Sequence, residues 1–220
     1  KTLGASHGDT LAAVSALAGL YQEQGKLADA EELLQQQLVL LQADKGPEHP
    51  QTRQAVQELA SLMTVQGKLA SAEGLLKRTL LSQQELLGPD HSDTVATARS
   101  LTGLYLSEGK LLEAKPLLVR TLEHDERLHG TDHEQTVSTM LSLARVHQAA
   151  GDVAEAERLC RHAVAAECVR SAPGAPLAMS AKHALADALL AKGKPTEAEP
   201  LVLSAFHLRE ASLGVDHGDT

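Results

Sequence analysis

Apolar residues fall along this chain at helical spacing. Val14, Leu17, Ala18 and Tyr21 follow the i, i+3, i+4, i+7 pattern of a helix with one buried stripe. After Gly25 a second run, Leu27, Ala30, Leu33, Leu34, Leu38 and Leu41, repeats that spacing up to Gly46. The pattern predicts two consecutive helices, A and B, with Gly25 as a left-handed stop between them. No stretch alternates apolar and polar residues with the period of two that marks a half-buried strand.

The same pattern returns every forty-two residues, with Gly25, Gly67, Gly109, Gly151 and Gly193 in step and Ala30, Ala72, Ala114, Ala156 and Ala198 likewise. Leu17, Leu59, Leu101, Leu143 and Leu185 keep the same phase, as do Leu33, Leu75, Leu117, Leu159 and Leu201. A period in this range predicts stacked small units rather than one closed core. The register divides the chain into units 7–48, 49–90, 91–132, 133–174 and 175–216, with 217–220 opening a further one. His7, His49, His91, His133 and His217 occupy the start of helix A, and Ala175 replaces them once. Pro50 and Pro195 fit the first helical position, where a missing amide costs nothing. His49 and Asp152 are the expected N-caps of the helices that follow them. Pro116 and Pro200 lie about a turn inside helix B, so we expect regular helix only beyond them.

Composition changes the picture in three ways. With one Phe, two Tyr and no Trp in 220 residues, packing depends on Leu and Ala at close helix crossings. The net charge of -9 disfavours nucleic acid and anionic membrane surfaces as partners, since both require clustered cations, and no apolar run reaches the roughly 20 residues of a membrane-spanning helix. Cys160 and Cys168 fall eight residues apart on one predicted helix, too far for a disulfide; a reducing, cytoplasmic setting follows. The chain begins and ends inside the repeat unit, so we expect a segment of a longer protein, which we read as one array.

Reaction chemistry is not spelled out. The densest group of candidate metal ligands, His124, Asp125, His129, Asp132 and His133, runs from helix B into a loop without a helical i, i+4 pair or a cysteine, and reads as a solvated helix end. Nucleophile, phosphate-loop and paired-acid patterns are missing. The expectation is no enzyme, no cofactor and no metal.

A helix pair with Ala18, Tyr21 and Ala30 around Gly25 resembles the tetratricopeptide repeat. The forty-two-residue spacing, with Leu-Gly-Pro-Asp-His-Ser-Asp-Thr at Leu87 to Thr94, is similar to the kinesin light chain and nephrocystin-3 kind. The resemblance implies an all-α, right-handed superhelical solenoid of antiparallel helix pairs whose A helices line a concave groove. It places Gln22, Gln54, Gln57, Arg99, Arg145, Gln148, His183 and Asp187 in that groove as partner-binding candidates. Kinesin light chain repeats carry paired asparagines before the Leu-Ala of helix A; here those positions read Ser15-Ala16, Gln57-Glu58, Arg99-Ser100, Leu141-Ser142 and His183-Ala184. The implied function is a non-catalytic scaffold or adaptor that presents its groove to a peptide or partner protein. One alternative is a structural spacer in a large multiprotein assembly that uses its convex face, linkers or ends; another is the sensor arm of a signalling ATPase. Cytoskeletal association belongs to the same resemblance.

Overall fold

The second, third and fourth repeats open on the same small piece of backbone chemistry. Gly46, Gly88 and Gly130 have φ of +86°, +91° and +88°, a region where a side chain is strained. Three residues on, His49, His91 and His133 sit in extended conformation, and the Nδ1 of each accepts the amide of the residue two further along at 3.2 Å. Three residues beyond the histidines, the buried hydroxyls of Thr52, Thr94 and Thr136 donate back to those glycine carbonyls at 2.8 Å in all three repeats. The loop phrase thus caps an orphan amide of the helix start and ties the glycine turn to the first helical turn. Ala175 has no side-chain cap, and Pro176 at the first helical position removes one amide instead.

The computed structural model describes residues 8–47, 49–170 and 175–213, with side chains over 10–47, 49–168 and 175–204. His7, His217, the loop residues 171–174 and the opening of a further repeat at 217–220 lie outside them. Among the described residues there are ten helices and no strand. The A helices are α1 (Gly8–Glu23), α3 (Pro50–Val65), α5 (Ser92–Ser107), α7 (Glu134–Ala149) and α9 (Pro176–Ala191). The B helices are α2 (Leu27–Lys45), α4 (Leu69–Leu86), α6 (Leu111–His129), α8 (Val153–Arg170) and α10 (Pro195–Leu213). Gly25, Gly67, Gly109, Gly151 and Gly193 between A and B all have positive φ, 71–82°. Asp152 caps α8 through Oδ1, which accepts the Glu155 amide at 3.3 Å.

One expectation is corrected. α6 is helical from Leu111 and α10 from Pro195, so Pro116 and Pro200 stand inside regular helix. Pro116 is exposed, and its ring projects into solvent in the second turn.

Contacts divide the chain into two compact units, Lys1–Glu108 and Gly109–Thr220. In the first, α1 packs on α2, α2 on α3, α3 on α4 and α4 on α5; in the second, α6 through α10 pack consecutively in the same way. Among the described residues, backbones also approach closely between α3 and α5 and between α7 and α9, all A helices. The alanine column from Ala30 to Ala198 is 0–1% exposed throughout, which lets helix backbones approach to the roughly 8–10 Å of close packing. Leu59, Leu101, Leu143 and Leu185 are buried, whereas Leu17 is 40% exposed.

Candidate functional site

The A helices bury one face and leave the opposite one open. In α3, Thr52, Ala55, Val56, Leu59 and Met63 face the core. Gln54, Ser61 and Val65, about half a turn round the helix, are exposed. The same register positions are open in α7, with Ser138, Arg145 and Ala149, and in α9, with Ser180, Asp187 and Ala191.

The sequence-derived candidates distribute over this face as follows. Gln22 is exposed near the end of α1. In α3, Gln54 is exposed and its Nε2 donates to Glu58 Oε1 at 2.8 Å, and Gln57 is half-buried. Arg99 of α5 is half-buried too. In the second unit Arg145 of α7 and His183 and Asp187 of α9 are exposed, and Gln148 of α7 is half-buried. Because α3 touches α5 and α7 touches α9, two groups result: Gln54, Gln57 and Arg99 in the first unit, and Arg145, Gln148, His183 and Asp187 in the second. Arg99 and Arg145 belong to different units.

The periodicity gave no sign that Glu58 is part of this face. Its Oε2 accepts the Ser15 hydroxyl at 2.9 Å, joining α1 to α3 across the open side. The one available signal is that position 58 is the only acid in its register column, where Ala16, Ser100, Ser142 and Ala184 stand elsewhere. Lys182 is likewise occupied, its Nζ donating to Ser204 Oγ on α10 at 2.8 Å.

Several charges on B helices and turns are paired: Lys68 with Glu31, Arg158 with Glu155, and Glu157 with Arg161, Lys192 and Lys194. Lys192 and Arg161 hold the Glu157 carboxyl down to about 2. On the open face of the second unit, Arg145 and His183 make no ion pair or hydrogen bond with any described residue. Asp187 makes none either, although its charge adds to burial in pushing the Cys160 thiol up to about 11. A thiol held protonated in this way is a poor nucleophile. His133 spends its Nδ1 on the helix cap, and its ring stacks on that of His129 at 4.5 Å. No group of three metal-ligating side chains occurs among the described residues, and no helix is long and apolar enough to cross a membrane.

Comparison with known proteins agrees with this architecture. Tetratricopeptide repeat family models match residues 9–80, 103–166 and 179–219. Among proteins of curated function none matches significantly. Similar solved structures include a kinesin light chain-like protein of Podosopora anserina with nearly identical TPR-like repeats, 27% identical, with a TM-score of 0.79 over 94% of this chain and 99% of that one. BtubC (BKLC) of P. vanneervenii is 21% identical with a TM-score of 0.81, over 96% of this chain and 84% of that one. MamA from MSR-1 is 19% identical with a TM-score of 0.61, over 92% and 98%; these last two share the fold. With matches over most of its length, two helices in every period and glycine turns in register, the chain belongs to the tetratricopeptide repeat family.

Proposed function

We propose that this chain is a non-catalytic protein-interaction scaffold that receives a segment of a partner protein on the open face of its A helices. The observation carrying this reading is that Arg145, His183 and Asp187 stand exposed, without an ion pair or hydrogen bond to any described residue, on two A helices that touch. Unpaired groups of both signs on one face suit a polypeptide, which offers carboxylates, amines and backbone groups along its length. Membership of a family built for protein contact fits this reading, as does the kinesin light chain-like relative. A cytoplasmic setting fits the two free cysteines.

The test is capture of cellular partners by the wild-type chain and by an Arg145→Glu, His183→Glu, Asp187→Lys variant. All three side chains are exposed, so the variant folds and melts like the parent. Loss of a partner that the parent retains supports the reading. Full retention of every partner would move the contact to the B-helix side or the ends and favour a spacer within a larger assembly.

A further inference from the structure

Charge on the open face of the second unit comes down to two side chains. The residues of fixed charge on α7 and α9 are Glu134, Arg145, Lys182 and Asp187. Glu134 lies in the first turn of α7, about three turns from Arg145. Lys182 is half-buried and donates to Ser204, and His147 is buried and bonded to Asp152 at 2.9 Å. Arg145 and Asp187 remain, both exposed and neither with an ion pair or hydrogen bond to any described residue.

These two occupy the same position of consecutive repeats, on A helices that touch. At close-packed spacing their backbones lie roughly 8–10 Å apart. Opposite charges held side by side without pairing to each other are complementary to a ligand that carries both signs. Neighbouring hydroxyls do not compete, since Ser142 donates to the Ser138 carbonyl at 3.1 Å and Ser180 to the Pro176 carbonyl at 2.8 Å. His183, one turn before Asp187, is exposed and unpaired, and its ring can donate to or accept from a peptide group. At the register position of Arg145 and Asp187 the first unit carries Gly19, Ser61 and Gly103, so the charge pair is particular to the second.

We propose that α7 and α9 read a partner segment carrying an acidic and a basic residue three positions apart, its carboxylate on Arg145, its ammonium or guanidinium on Asp187 and its backbone against His183. A chain in polyproline II conformation has three residues per turn at about 3.1 Å each, so side chains at i and i+3 share one side about 9 Å apart. That distance matches the spacing of the two helices. A dibasic or diacidic segment would set one of its charges against a like charge, which adds discrimination to the attraction. The inference rests on the A-face reading above and adds to it the chemistry of the segment.

The probes are short peptides identical except for one pair of residues three positions apart: Glu and Lys in both orders, Lys and Lys, or Glu and Glu. Amide NMR titrations of the whole chain measure weak affinities and locate them. Nonspecific attraction to a chain of net charge -9 would rank the dibasic peptide first. The mixed peptide, in one order or the other, is expected to bind about fivefold or more tightly than either like-charged peptide, with shifts centred on α7 and α9 and an affinity that falls with salt. Asp187→Arg should move the preference to the diacidic peptide and Arg145→Asp to the dibasic one, with melting temperatures unchanged because both positions are exposed. Absence of binding by the mixed peptide, equal affinities for all the peptides, or a ranking that these substitutions leave unaltered overturns the proposal. The two readings fail separately. A cellular partner lost from the Arg145, His183 and Asp187 triple variant, together with an unselective peptide ranking, keeps the A face as the contact and removes the charge code, whereas shifts confined to B helices with every partner retained remove both.

Discussion

Gln83 shows what the repeat leaves unresolved at the scale of single residues. It is 1% exposed and Thr97 0%, and neither the amide nitrogen and oxygen of Gln83 nor the hydroxyl of Thr97 has a hydrogen-bond partner among the described residues. One repeat later the same positions hold Asp125 and Thr139, whose Oδ2 and Oγ1 lie 2.9 Å apart. One repeat earlier they hold Leu41 and Ala55, both buried. The layer is therefore apolar in the first repeat, hydrogen-bonded in the third and unmatched between them. An unsatisfied buried polar group costs about 1–3 kcal/mol, so Gln83→Leu with Thr97→Ala, which copies the first-repeat solution, should raise the unfolding free energy by roughly 1–3 kcal/mol. Urea unfolding measures it, and an unchanged or lowered midpoint would show that the layer needs its polar groups. The helix starts make a matching case. α9 alone among α3, α5, α7 and α9 lacks a side-chain cap, so Ala175→Asp should stabilise the chain by about 0.5–1 kcal/mol, and His91→Ala should cost about as much. Thermal melting of both variants checks the pair, and shifts of the same sign would refute the capping account.

Among the elements, the fold was legible because each helix repeats its signals five times. Apolar spacing placed the helices, and the glycines placed their ends within a residue or two; His49 and Asp152 were recognisable as caps from their residue type and position. Pro116 was misread because a rule about hydrogen bonds inside an isolated helix says nothing of how easily an exposed position absorbs the loss of one. The open face was only partly legible. Variation in a register column marks positions outside the core, yet it does not distinguish Gln54, which is bonded to Glu58, from Arg145, which stands unpaired, because pairing depends on the neighbouring hairpin. Burial also differs along a column that looks uniform in sequence. Leu101 is 2% exposed and Leu17 40%. Leu101→Ala should therefore cost about 2–5 kcal/mol, as other buried leucines do, and Leu17→Ala distinctly less. Equal losses in urea unfolding would show that the register does not set the packing.

Across the whole molecule, the turns are joined to the preceding B helices by a recurring electrostatic clamp whose polarity is not constant. Glu31 of α2 pairs with Lys68, thirty-seven residues on, and Glu157 of α8 meets Lys194 at the same separation, at 3.7 Å. Between them the order is reversed: Lys115 acts on Asp152, whose carboxyl is lowered first by His147 and the Glu155 amide and further by that lysine. Each clamp favours the ionised acid, and Glu31, Asp152, Glu155, Glu157 and Glu197 are all shifted downwards. Glu157 is the strongest case, brought from 4.5 to about 2 chiefly by Lys192 and then Arg161. A carboxyl with a folded pKa below its unfolded one binds fewer protons when folded, so its contribution is complete above the unfolded value and disappears as pH falls towards the folded one. For Glu157 that window runs from about 4.5 down to about 2. Urea midpoints of the wild type should fall across it, while Glu157→Gln, less stable at neutral pH, should lose less over the same interval because its side chain does not titrate. Parallel pH profiles for the two proteins would mean that the Glu157 cluster is a solvated surface arrangement with no share in holding α8, the turn at Lys192–Lys194 and α10 together.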